Sequence, residues 1–146
     1  MPNSGRKSLI VERHQWETGG REQQLQFLLA TAKSFFGSGT SNRTIRVRVF
    51  MNPVSNTPSF EKDIVISKEY RQSGTRRTNR FPEMGSVPSS FVFFEETSNA
   101  GVYDVWWLAD KVPIAARYSE WKRGKDSQYG RGRYSLIVDA PAPRSA

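Results

Sequence analysis

Residues 43–51 read RTIRVRVFM, with Ile45, Val47 and Val49 alternating with Arg46, Arg48 and Phe50. A repeat of two places one set of side chains on one face, which only a half-buried strand does. The pattern predicts Ile45, Val47 and Val49 inward and the two arginines outward, on a face that either tracks phosphate or is simply solvated. Similar short runs follow the same rule: SLIV at 8–11, residues 60–67, 91–95, 102–109 and 134–138. GSGTSN, NPVSNTPS and FPEMGSVPSS, rich in Gly, Pro and Ser, separate some of them. Residues 91–95 and 102–109 read as a hairpin across 96–101. Trp106 and Trp107 are adjacent and so face opposite sides, with at least one in the core. Helical spacing occurs once: Leu25 and Phe27 start as a strand, then Leu28, Leu29, Ala32, Phe35 and Phe36 fall on a helical stripe closed by Gly37. That stripe is core rather than a cofactor box. Many short strands and one helix predict an all-β barrel or sandwich.

A chain of 146 residues can bury one core unaided, so residues 1–146 are expected to form a single domain with frayed ends at about 1–7 and 139–146. The absence of cysteine excludes disulfides and thiolate chemistry, and the single histidine, His14, leaves a zinc site without ligands. No cofactor is expected. No apolar run approaches a membrane span and MPNSGRKS has no signal-peptide core, so the expectation is a soluble, intracellular, cytoplasmic protein with no membrane partner. The net charge of +8 calls for an acidic partner, and nucleic acid is the commonest.

Three stretches concentrate groups suited to such a partner. Residues 70–81, YRQSGTRRTNRF, hold Arg71, Arg76, Arg77 and Arg80 among Gln72, Ser73, Thr75, Thr78 and Asn79, without an acid. Following a β-type run and preceding Pro82, Gly85 and Pro88, the stretch reads as a loop or short arm with Gly74 at its tip. Arginine grips phosphate or a guanine edge bidentately, and asparagine does the same to adenine. Earlier, Thr18, Gly19, Gly20, Arg21, Glu22, Gln23 and Gln24 form a polar turn dense in edge-reading groups. Later, residues 111–133 interleave Arg117, Lys122, Arg123, Lys125, Arg131 and Arg133 with Tyr118, Trp121 and Tyr129, and their glycines predict a loop.

Two of these arms, in this order, resemble a known family. Thr18-Gly19-Gly20, the strand LQFL and the short helix ending at Phe36 look like the N-terminal arm of the effector-binding domain in EcoRII-type restriction endonucleases. Arg71 to Arg80, with Gly74 and Arg77, resembles the C-terminal arm, and the hairpin FVFFEE through VYDVWWLAD is similar too. The resemblance covers roughly residues 9–110. It implies the DNA-binding pseudobarrel shared with plant B-three domains: a seven-stranded open barrel with one or two short helices, whose arms enter the major groove from either side. By position, the N-arm is Thr18–Gln24 and the C-arm Thr75–Arg80. Thr75 and Asn79 stand where the endonuclease has lysine and glutamate, so the site read need not be that enzyme's.

The leading expectation is therefore a sequence-specific double-stranded-DNA-binding module without catalysis, the target-recognition or effector domain of a bacterial restriction endonuclease. It would be a monomer by itself, served by a fused or partner nuclease domain. Arg77 and Arg80 would read guanine, Asn79, Gln23 and Gln24 adenine, and Glu22 cytosine. Arg46, Arg48 and the basic segment with Lys122, Arg123 and Lys125 would hold phosphates. The alternative from another class is a metal-dependent nuclease, with Asp104 and Glu120 holding Mg²⁺ and Lys122 steering water. Against it, residues 118–124 are polar and Gly-terminated where such a core has an apolar strand. A third reading, a single-strand or RNA binder stacking bases on its aromatics, needs rings exposed on a strand face.

Overall fold

The computed structural model describes residues 7–12, 25–28, 31–37, 42–52, 55–66, 75–77, 81, 83, 91–107, 118, 120 and 135–138. The strands are β1 (Ser8–Glu12), β2 (Gln26–Leu28), β3 (Arg43–Phe50), β4 (Phe60–Ile66), β5 (Thr75–Arg77), β6 (Phe91–Glu96), β7 (Val102–Trp107) and β8 (Ser135–Val138). Six form one sheet in the order β4-β3-β7-β6-β1-β8, and β2 pairs with β5 in a separate ribbon. The pairings are antiparallel apart from β3 with β7. The class is all-β. None of the described helices is long and apolar enough to cross a membrane.

The expected β6–β7 hairpin is present, with Phe93 opposite Trp106 and Glu96 opposite Tyr103. Its turn places Gly101 at φ +81°, a conformation that a side chain disfavours. Thr97 stitches the turn, its hydroxyl donating to the Val102 carbonyl at 2.8 Å and accepting from the Asn99 amide at 3.2 Å. Of the helical stripe, Leu28 lies in β2 opposite Thr75, while Ala32–Phe36 form a π-helical turn preceded by the α-helical Thr31. Gly37, at φ +71°, closes this turn by donating its amide to the Lys33 carbonyl at 3.2 Å. Phe35 and Phe36 point into the core, edge-on to Tyr103 or Phe94 at 5–7 Å in most pairings. Tyr103 donates its hydroxyl to the Phe35 carbonyl at 3.4 Å. Burial, with the charge of Glu96, raises the Tyr103 pKa against the opposing pull of Arg43.

The alternation in β3 places Ile45, Val47 and Val49 in the main core as expected. They join Leu9, Val11, Ile64, Ile66, Val92, Phe94, Val105 and Trp107 there. Phe50, on the same face as the two arginines, is nevertheless fully buried. Strand register gives the reason. Ile10 stands opposite Phe93, Phe93 opposite Trp106, and Trp106 opposite Phe50, so one cross-strand row on the outer face is apolar from β1 to β3. Phe50 stacks on Trp106 at 5.2 Å and 17°, and Tyr118 stacks on Phe93 at 5.5 Å and 19°. Tyr118 and Glu120 have helical backbone, and the glycines on which the loop expectation for 111–133 rests lie outside the described residues. Both tryptophans are core, on opposite faces of one sheet, which leaves neither free to stack on a base.

Candidate nucleic-acid interface

The β2–β5 ribbon relates the two arms. Its register sets Gln26 opposite Arg77, Phe27 opposite Arg76 and Leu28 opposite Thr75. In an antiparallel pair, the chain entering one strand and the chain leaving the other share an end. The residues before Gln26 and those after Arg77 therefore meet the frame at the same end of the ribbon. These are the N-arm, Thr18 to Gln24, and the latter part of the C-arm, Thr78, Asn79 and Arg80. Arg71 enters β5 from the opposite end. Within the stretch read as a loop or short arm, Thr75, Arg76 and Arg77 are a paired strand, because β2 supplies the backbone partners.

Each arm is rooted in the main core by the residue that follows it. Leu25, next after Gln24, and Phe81, next after Arg80, are both 0 % exposed and belong to the same apolar cluster. Phe81 packs on Trp107 with ring centroids 5.0 Å apart. The arm residues Thr18, Gly19, Gly20, Arg21, Glu22, Gln23, Gln24, Arg71, Thr78, Asn79 and Arg80 lie outside the described residues, as do Lys122, Arg123 and Lys125.

Charge is distributed unevenly. The described residues carry eight lysines and arginines against eight aspartates and glutamates. The remaining fourteen bases against six acids lie in the other segments, which thus hold the whole excess of +8.

On the outer sheet face the expected phosphate-tracking arginines are already occupied. Arg46 donates to Asp63 at 3.2 Å and lies 3.8 Å from Glu61. Arg48 sits 3.6 Å from Asp104, which is 13 % exposed at its side chain, and its guanidinium lies 5.7 Å from the Phe50 ring centroid. Register explains this: Arg46 faces Asp63, and Arg48 lies between Glu61 and Asp104. With Glu95 opposite Asp104, four acids lie in register around the two arginines. Sequence reasoning missed Glu61 and Asp63, although their spacing in FEKD mirrors Arg46 and Arg48 in RVR.

The nuclease constellation is not assembled among these residues. Asp104 is tied to Arg48, Glu120 is exposed two residues beyond Tyr118, and Lys122 is outside the described residues. No three His, Cys, Asp or Glu side chains among the described residues are grouped to hold a metal ion. Supercoiled plasmid incubated with the protein in Mg²⁺ or Mn²⁺ is expected to stay intact. Nicking that vanishes in both Glu120→Ala and Lys122→Ala would restore the nuclease reading.

Comparison with family models, curated proteins and solved structures gives no match.

Proposed function

We propose that this chain is a sequence-specific double-stranded-DNA-binding module that reads the major groove with two arms and performs no catalysis. The observation that carries the reading is the ribbon register, which brings the roots of both arms to one end of the frame. A bipartite reader needs this, because base edges recognised by two segments must fall within one short stretch of duplex. The net charge of +8 supports it further. The scaffold for this task is an open pseudobarrel. In support, β2 lies beside the edge strand β8 and β5 beside the other edge strand β4, so the ribbon spans the gap between the two sheet edges. The module acts as a single copy, as the target-recognition or effector domain of a bacterial restriction endonuclease, with the nuclease supplied by a fused or partner domain.

Selection from a randomised duplex pool in EDTA tests the function directly. A short consensus containing G/C pairs is the expected outcome, since Arg77 and Arg80 are guanine readers in this scheme. Recovery of the pool without enrichment would sink the proposal.

Lys122, Arg123 and Lys125 are assigned to phosphate, because the charges of residues 117–133 alternate with Gly, Tyr and Ser and show no Asn/Gln cluster. Each phosphate contact contributes roughly 0.9 to the slope of log K against log salt, so substituting all three should flatten it by about 2–3 units. The ranking of target sequences should not move. An unchanged slope would remove the segment from the interface. That outcome has a structural route, since Tyr118 fastens the start of this segment to the outer sheet face while the arms root in the core behind the opposite face.

A further inference from the structure

Directly after the C-arm, three residues interlock. Lys62, on β4, holds its Nζ 4.6 Å from the centroid of the Phe81 ring and donates to the two Glu83 carboxylate oxygens at 3.0 and 3.3 Å. Its side chain is only 23 % exposed, so it is not extended into solvent like a phosphate-seeking lysine. Phe81 is fully buried against Trp107, which fixes one side of the cluster in the core. Burial alone would raise the Glu83 pKa, but hydrogen bonding to its own backbone and the Lys62 ammonium lower it below the ordinary value, so its carboxylate is ionised at neutral pH. The cluster joins an edge strand of the sheet to the chain that follows β5, and among the described residues β4 and β5 are not paired.

We infer that Lys62 and Glu83 form a latch over Phe81 that sets the position of the arm residues Thr78 to Arg80, and through them the sequence preference of the protein. The inference rests on the DNA-reading function proposed above. Lys62 and Glu83 are positioning residues that touch no base. A cation held over an aromatic face and a charge-assisted hydrogen bond each lose value as they become exposed. Here the aromatic partner is buried and the ammonium is partly covered, so the combination can hold the chain around Phe81 against β4.

Two measurements test the latch, one of them independent of DNA. In Lys62→Met, which keeps the apolar stem over Phe81, and in Glu83→Gln, amide exchange of a peptide spanning residues 78–83 should quicken about fivefold. Lys62→Arg should stay near wild type. On the duplex obtained by selection, both latch-breaking variants should bind about tenfold more weakly, with binding to random duplex within about twofold of wild type. The two substitutions change net charge in opposite directions. A bulk electrostatic effect would move affinity up in one and down in the other, and that pattern would overturn the inference. So would faster exchange with an unchanged preference, or exchange that does not change. A wild-type chain with no preference among duplexes would sink the DNA reading and the positioning role together. The exchange arm would still report whether the latch holds the segment.

Discussion

Replacing Trp106 or Trp107 by Ala is expected to lower the unfolding free energy by about 3–5 kcal/mol in either case. Urea titration followed by far-ultraviolet circular dichroism measures it without depending on the deleted fluorophore. For Trp107 the loss follows from a main-core position against Phe81, with 1 % of the residue exposed. For Trp106 the same cost requires that the outer face be a second core. The ring is sandwiched there in register between Phe50 and Phe93, at 5.2 and 5.9 Å, and Tyr118 covers the Phe93 end of the row. Stabilities of domains this size are commonly about 5–15 kcal/mol, so a loss this large leaves little margin. If the alanine variants fail to accumulate, Trp→Phe at each site provides a milder series. A Trp106→Ala protein within about 1 kcal/mol of wild type would mean that the outer face is not a core, and the stacking of Phe50, Phe93 and Tyr118 would lose its energetic significance.

These two faces also mark how far the chain could be read in advance. The alternation of RTIRVRVFM located β3 and its buried face, since a period of two has only one structural meaning. It could not reveal that Phe50 is buried, because the outer row is assembled from β1, β6 and β7 by register, and register between distant segments is not written in local spacing. The parallel pairing of β3 with β7 was hidden for the same reason. The arginines at 46 and 48 were ambiguous until Glu61 and Asp63 came into register opposite them. In the 70–81 stretch, read as a loop or short arm, three residues form a strand because β2 offers a partner. Isolated propensity is weak for so short a strand, and tertiary pairing decides. The latch was illegible altogether: Lys62 and Glu83 lie 21 residues apart and only the return of the chain past β4 joins them.

Substitutions in the arms should separate base reading from charge. Arg77→Ala, Arg80→Ala and Asn79→Ala are each expected to cost about 1–3 kcal/mol on the selected duplex and little on random duplex. Arg21→Ala and Gln24→Ala should behave alike from the other arm, because the residues before Gln26 leave the ribbon at the end where those after Arg77 leave it. Pairing Arg21→Ala with Arg80→Ala gives the largest effect, about 2–6 kcal/mol if the contributions add. Arg77 needs a control, since it lies within β5 opposite Gln26 and its loss could disturb the ribbon. Arg77→Lys keeps the charge but lacks the planar fork, so a guanine reader should lose preference even with lysine in place. Arg71 supplies the contrast. It joins β5 at the far end of the ribbon, and Arg71→Ala should weaken selected and random duplex by the same factor, as a phosphate contact does. Competition titrations against both duplexes at one fixed salt concentration resolve these classes. Equal losses on the two duplexes for Arg77, Arg80, Asn79, Arg21 and Gln24 would make the arms phosphate clamps. Sequence would then have to be read elsewhere, and the shared end of the ribbon would be a route for backbone grip alone.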